Sequence, residues 1–77
     1  MKQTVTITDR DGAEIATARV GEWITVRQLR RIERHLPTGD GLMSGRYMVL
    51  DEDWHRMTME PMADGSILLR SATAQGM

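Results

Sequence analysis

Residues 24–37, Ile-Thr-Val-Arg-Gln-Leu-Arg-Arg-Ile-Glu-Arg-His-Leu-Pro, contain the clearest helix signal in the chain. Thr25 is a favourable N-cap residue, and Gln28, three positions later, completes a capping box, in which each side chain accepts a hydrogen bond from the backbone of the other residue. Pro37 ends the helix, because the residue before a proline avoids helical geometry. The sequence therefore predicts a helix that runs from Val26 to about His35.

Strand patterns flank this helix on both sides. Before the helix, alternating apolar and polar residues predict a strand at Val5–Thr8, and the following Asp9-Arg10-Asp11-Gly12 is typical of a tight turn. Residues 13–20 follow as the return strand, and their irregular pattern indicates either a bulge or a strand that is covered on both faces. After the helix, three further strands are predicted at residues 46–50, 54–60 and 66–70.

This ββαβββ order predicts a small α+β domain over residues 1–70, with a flexible tail at residues 71–77. The last three strands should form a meander in an antiparallel sheet. The helix should pack its apolar side on that sheet, or on the mouth of a partly closed barrel. The oligomeric state stays open, because Val5–Thr8 or Ser66–Arg70 would pair between subunits if either strand formed an edge of the sheet.

The composition excludes several classes of protein. The chain has 77 residues, which is enough for one domain at most. It has no cysteine, so disulfides, zinc fingers and catalytic thiols are excluded. No apolar run reaches the ~18–20 residues of a membrane span, and the N-terminus does not resemble a signal peptide. We therefore expect a cytoplasmic protein that does not act at a membrane.

The sequence contains no pattern that is typical of an enzyme active site. The only histidines, His35 and His55, lie in neither a zinc-binding His-x-x-x-His pattern nor a nucleophile elbow. Asp51-Glu52-Asp53 lacks the spacing of a calcium loop and is typical of a solvated hairpin turn. The glycines after the helix precede a strand, so they do not form a phosphate-binding loop. We expect a binding protein without catalytic activity or cofactor.

The predicted helix has two chemically different faces. Leu29, Ile32 and Leu36 form the apolar face. The opposite arc contains four arginines and no interleaved acid: Arg27, Arg30, Arg31 and Arg34. Helix surfaces that serve only solubility usually mix charges, because opposite charges at i,i+4 stabilise a helix and like charges repel. The arc is therefore either an ordinary solvated face or a binding surface.

If the arc is a binding surface, we expect its partner to be a protein with an acidic surface. Trp23, two residues before the cap, is a candidate anchor, because tryptophan and arginine are enriched at interface hot spots. Nucleic acid is an alternative partner, although the net charge of −1 and the aromatic content of 4% favour protein. The sequence thus predicts a small adaptor or inhibitor, of the type that phages and mobile elements encode.

A further alternative is a soft-metal site in the predicted strand at residues 54–60. Thioethers bind Cu(I) and Ag(I), and the face of a tryptophan ring can cap such a cation. Met57 and Met59 would project from the same side of the strand, with Trp54 and His55 at its start. Two methionines at this spacing are also typical of the buried face of a hairpin, which is the simpler interpretation.

The six-residue string Trp54-x-x-Met57-Thr58-Met59 is similar to the metal-binding stretch of the periplasmic metallochaperones of copper/silver efflux systems. In that family, two methionines and a tryptophan at this spacing bind the ion together with a histidine from earlier in the chain. No histidine lies between His35 and Trp54 here. The resemblance therefore implies a Cu(I) or Ag(I) site whose histidine ligand would have to be the adjacent His55.

Overall fold

The structure, a computed structural model, describes residues 2–37 and 39–71. Six strands and one α-helix form the described part of the chain, and a short 3₁₀ turn at Leu42–Ser44 lies between the helix and the fourth strand. The elements are β1 (Gln3–Asp9), β2 (Glu14–Val20), β3 (Trp23–Ile24), α1 (Val26–Glu33), β4 (Tyr47–Leu50), β5 (Arg56–Pro61) and β6 (Ile67–Ser71).

The six strands form one antiparallel sheet in the order β2-β1-β4-β5-β6-β3. β2 and β3 are consecutive in the chain but lie at opposite ends of this order, so the sheet curls until it is nearly closed into a barrel. The predicted α+β class and the meander of the last three strands are confirmed. α1 packs on the sheet, with its closest association to β2.

The strand β3 was missed by the sequence analysis. It contains only Trp23 and Ile24, which pair with Leu68 and Ile67 of β6. A two-residue strand has no periodicity to detect. Its pairing places β6 inside the sheet, and β1 lies between β2 and β4. The two edges of the sheet are β2 and β3. The strands expected as possible edges, β1 and β6, therefore both lie inside the sheet.

Several predicted boundaries also differ from the structure by one or two residues, and three of them bear on the predicted site or tail. α1 ends at Glu33, because the amide of His35 donates to the carbonyl of Ile32 at 3.0 Å in a tighter turn. β5 begins at Arg56, since the two residues before it belong to the hairpin turn. β6 extends to Ser71, the first residue of the predicted tail, and residues 72–77 lie outside the described residues.

The irregular pattern of β2 is explained by a bulge, one of the two predicted alternatives. Ile7 pairs with Ala16, whereas Thr8 pairs with Glu14, so Ile15 is an extra residue on β2. An extra residue reverses the alternation of side chains on either side of it. The core lies inside the curled sheet beneath α1 and contains these buried side chains: Val5, Ile7, Val20, Ile24, Ile32, Leu36, Leu42, Tyr47, Val49, Met57, Ile67 and Leu69.

The three hairpins β1–β2, β4–β5 and β5–β6 share one loop geometry. In each loop the amide of the first residue donates to the carbonyl of the fifth, and the fourth residue has a positive φ. The first and fifth residues are Asp9 and Ala13 (3.0 Å), Asp51 and His55 (2.9 Å), and Met62 and Ser66 (2.8 Å). The fourth residues are Gly12 (φ 89°), Trp54 (φ 65°) and Gly65 (φ 93°). Trp54 thus occupies a left-handed position that glycine fills in the two sister loops.

This comparison makes a testable prediction about stability. Replacing Trp54→Gly should raise the free energy of unfolding by about 1 kcal/mol, because the left-handed conformation strains a residue with a Cβ. The side chain of Trp54 is 64% exposed, so its removal sacrifices little burial. The measurement is urea denaturation of both proteins.

Gly12→Ala is the matched reverse change. A Cβ at Gly12 meets no atom within 4 Å, so only its φ of 89° opposes the alanine. We expect a loss of about 1 kcal/mol in the free energy of unfolding. A decrease in the free energy of unfolding for Trp54→Gly would contradict this account. It would show that the contacts of the indole stabilise the fold by more than the left-handed backbone of Trp54 destabilises it.

Candidate partner-binding surface

The start of α1 is fixed by hydrogen bonds of Thr25 and Gln28. The amide of Gln28 donates to Thr25 Oγ1 at 3.2 Å, and the amide of Thr25 donates to Gln28 Oε1 at 3.0 Å, so the predicted capping box is confirmed. Gln28 Nε2 also donates to the carbonyl of Arg19 in β2 at 3.2 Å. This last bond ties the helix to the sheet and helps to set which face of the helix is turned outward.

The four predicted arginines lie on the outward side of the helix, and all of them are exposed. Together with Val26 they line one shallow depression with a volume of about 470 Å³. We call the surface formed by Arg27, Arg30, Arg31 and Arg34 the arginine face. The first three residues lie in α1 and Arg34 is its C-cap. The structure therefore brings the predicted set together.

None of these arginines forms an ion pair with an acidic side chain among residues 2–37 and 39–71. Glu33, the one acid of the helix, is half-buried, and its Oε2 accepts a hydrogen bond from the amide of Leu42 at 3.0 Å. Its carboxylate thus holds the 3₁₀ turn against the helix. The positive charge of the arginine face is left to solvent or to a partner.

The position of Arg27 is unfavourable for the helix itself. The first turn of α1 contains no acidic residue and includes Arg27. The N-terminus of a helix has a partial positive charge, so an acid there stabilises the helix and a cation opposes it. Arg27 is also three and four residues from Arg30 and Arg31, which is the distance at which like charges on a helix repel. The charge at Arg27 therefore opposes helix stability, whereas Arg30 and Arg31, in the last turn, are favourably placed for the helix dipole.

Trp23, the predicted anchor, lies on β3 and is 49% exposed. It lines a depression with Thr25 and Gln28 at the start of α1, and a second one with Met62. It does not line the depression of the arginine face. The structure thus places an exposed indole near the helix start, outside the depression that the arginines line.

The four residues of the predicted soft-metal set are divided between two environments. Met57 is buried in the core at 6% exposure, and Met59 is half-buried against that core. Trp54 and His55 lie in the exposed hairpin turn rather than in β5, contrary to the predicted strand boundary. The shared side of Met57 and Met59 is thus the inner face of the hairpin, and metal binding stays a prediction.

Two other methionines lie near this pair in the structure. Met43 and Met48 line the same depression as Met57 and Met59. Met43 lies in the 3₁₀ turn and Met48 lies on β4, so the four come from three separate elements. No local spacing could have revealed this cluster, because it depends on how the strands pair.

The turn Asp51–His55 contains a group of possible metal ligands. Ligand atoms of Asp51, Asp53 and His55 lie within 4.8 Å of one another. However, Asp51 Oδ1 already accepts hydrogen bonds from the amides of Asp53 and His55, both at 2.9 Å. The carboxylate of Asp51 therefore shapes the turn, as expected for a solvated hairpin.

No known protein family matches this chain, and no curated protein or solved structure is significantly similar to it. Among the described residues, no helix is long and apolar enough to cross a membrane. The cytoplasmic location stays a prediction.

The assignment of Met57 to the core can be tested directly. We expect Met57→Ala to lower the free energy of unfolding by about 2–4 kcal/mol, because a buried side chain is removed and a cavity remains. The control is Met62→Ala, since Met62 is 42% exposed and should contribute less than about 0.5 kcal/mol. Thermal or urea unfolding of both variants provides the measurement. Equal small losses at both positions would show that Met57 is not a core residue.

Proposed function

We propose that this protein is a non-enzymatic binding domain, an adaptor or inhibitor, whose arginine face contacts an acidic surface on a protein partner. The observation that supports the proposal is the absence of any ion pair for these four exposed arginines within the described residues. Of the exposed arginines in the sheet and loops, Arg46 pairs with Asp40 and Arg70 with Glu60, both at 3.6 Å. Three others have no such partner among the described residues, so the grouping of four on one helix face is what distinguishes the arginine face: Arg10, Arg19 and Arg56.

Arginine suits this role for geometric reasons. The planar guanidinium donates two parallel hydrogen bonds to one carboxylate, and it is more weakly hydrated than an ammonium group. A local cluster of positive charge also accelerates association with an acidic partner. The net charge of the whole chain is only −1, so the arginine face is a local feature rather than part of a generally basic surface.

Protein is favoured over nucleic acid as the partner by what surrounds the arginines. Proteins that bind single-stranded nucleic acid combine a basic groove with aromatic side chains on which bases stack. The depression of the arginine face is lined by Val26 and arginines alone. Trp23 lies in other depressions, so no aromatic ring accompanies the charge.

The test is capture of partners from the lysate of the source organism on immobilised protein, read by mass spectrometry. The double variant Arg30→Glu, Arg34→Glu should reduce recovery of the captured protein by at least about tenfold, because like charges placed across an interface cost several kcal/mol. Circular dichroism should show that the variant stays folded, since both side chains are exposed.

The matched control is Arg46→Glu, Arg70→Glu. These two arginines are exposed and lie outside α1, their ion pairs are solvent-exposed and contribute little to stability, and the variant changes the net charge by the same amount. We expect it to capture the partner as the wild type does. Retained capture by the helix variant, or equal loss in both variants, would contradict the proposal. Loss of the captured material on nuclease treatment would identify nucleic acid as the partner.

A further inference from the structure

The sheet opens between β4 and β5. The ladder between them contains only two residue pairs, Leu50 with Arg56 and Val49 with Met57, both next to the hairpin turn. Beyond these pairs β4 continues to pair with β1 as far as Tyr47, and β5 continues to pair with β6 to its end. The two neighbouring strands therefore separate, and each has an unpaired edge in the interior of the sheet order.

Backbone groups point into this opening. The amide of Asp51 donates to the carbonyl of His55 at 2.9 Å, so the backbone carbonyl of His55 points towards β4. In an antiparallel strand the N–H and C=O of every second residue point to the same side. On β5, the backbone N–H and C=O of Met57 therefore point towards β4. Those of Met59 point into the opening, where no residue pair with β4 is formed within the described residues.

The opening forms a groove with a volume of about 400 Å³, which we call the seam groove. No acidic residue among those described lines the groove. Its walls include four methionines and two arginines: Met43, Met48, Met57, Met59, Arg10 and Arg56. Tyr47 also lines the groove, and its hydroxyl donates to Asp40 Oδ2 at 2.7 Å. That hydrogen bond holds the loop before β4 in place and raises the pKa of the Tyr47 hydroxyl above its usual value.

The charge of the groove decides which kind of ligand fits it. Four thioethers would suit Cu(I) or Ag(I). However, the guanidinium groups of Arg10 and Arg56 repel a cation and attract an anion. The combination of an unpaired strand edge, a flexible apolar lining and two cations matches a chain segment that has both apolar and acidic side chains.

We propose that the seam groove binds an extended peptide segment of a protein partner, which pairs with β5 at Met59 as an added strand. Strand addition obtains its affinity from backbone hydrogen bonds and its specificity from side-chain pockets. The methionines would adapt to the apolar side chains of the peptide. At least one carboxylate of the peptide would meet Arg10 or Arg56. This site is separate from the arginine face, and either proposal can fail without the other.

The test begins with selection of a phage-displayed library of random linear peptides on the immobilised full chain. We expect enriched peptides in which apolar residues alternate and at least one acid is present. The enriched peptides are then synthesised and titrated into isotope-labelled protein, with the backbone amide signals followed by NMR. The amide of Met59 should shift on binding, and its hydrogen exchange should slow by at least about tenfold, because it becomes hydrogen-bonded.

Two double variants separate the sites. Arg10→Glu, Arg56→Glu should weaken peptide binding by at least about tenfold, because both charges that line the groove are reversed. Arg30→Glu, Arg34→Glu should leave peptide binding unchanged. Both variants change only exposed side chains, so loss of folding is not expected to obscure the result.

The proposal would be overturned if the selection enriched no sequence, or if the variant Arg10→Glu, Arg56→Glu left the peptide affinity unchanged. Amide shifts that are confined to α1 would also overturn it, as would saturable binding of Ag(I) in the groove in place of peptide. Self-association of the chain through the amide of Met59, detected by sedimentation and NMR, would also overturn it.

Discussion

The side chain of Gln28 links the start of α1 to the sheet, and together with the burial of Ile32 and Leu36 it fixes which face of the helix turns inward. Its amide group closes the capping box with Thr25 and donates to the carbonyl of Arg19 in β2. With the helix held in this orientation, Ile32 packs into the core. The opposite side, which consists of the arginine face, is then necessarily exposed to solvent.

Local features could be predicted from the sequence, whereas most features that depend on long-range strand pairing could not. The helix and its cap follow from residue types at short spacing, and the structure confirms them. For β2 the sequence left two alternatives open, and the structure shows that the bulge is the correct one. β3 has only two residues and exists because β6 pairs with it. Trp54 was assigned to a strand because its loop lacks the glycine that marks the sister loops. The seam groove depends on where the β4–β5 ladder stops, which no local pattern encodes.

The candidate surface was predictable only in part. The four arginines follow directly from helical periodicity, and the structure groups them as expected. Their lack of ion-pair partners among residues 2–37 and 39–71 could be seen only in the structure, where Glu33 accepts a hydrogen bond from the amide of Leu42. The position of Met43 and Met48 in one groove with Met57 and Met59 could not be predicted, because their elements meet only after the sheet curls. The protein thus has one surface rich in arginine and one groove rich in methionine.

The central claim is that Arg27, the arginine in the first turn of α1, is present for a partner and does not contribute to the stability of the fold. The most direct test is the free energy of unfolding of Arg27→Glu at about 0.01 M and about 1 M salt. An acid in the first turn of α1 would meet the helix dipole favourably and attract Arg30 and Arg31, so we expect a gain of about 0.5–1 kcal/mol at low salt that shrinks at high salt. A loss of stability at low salt would show that Arg27 stabilises the fold, and it would contradict the claim.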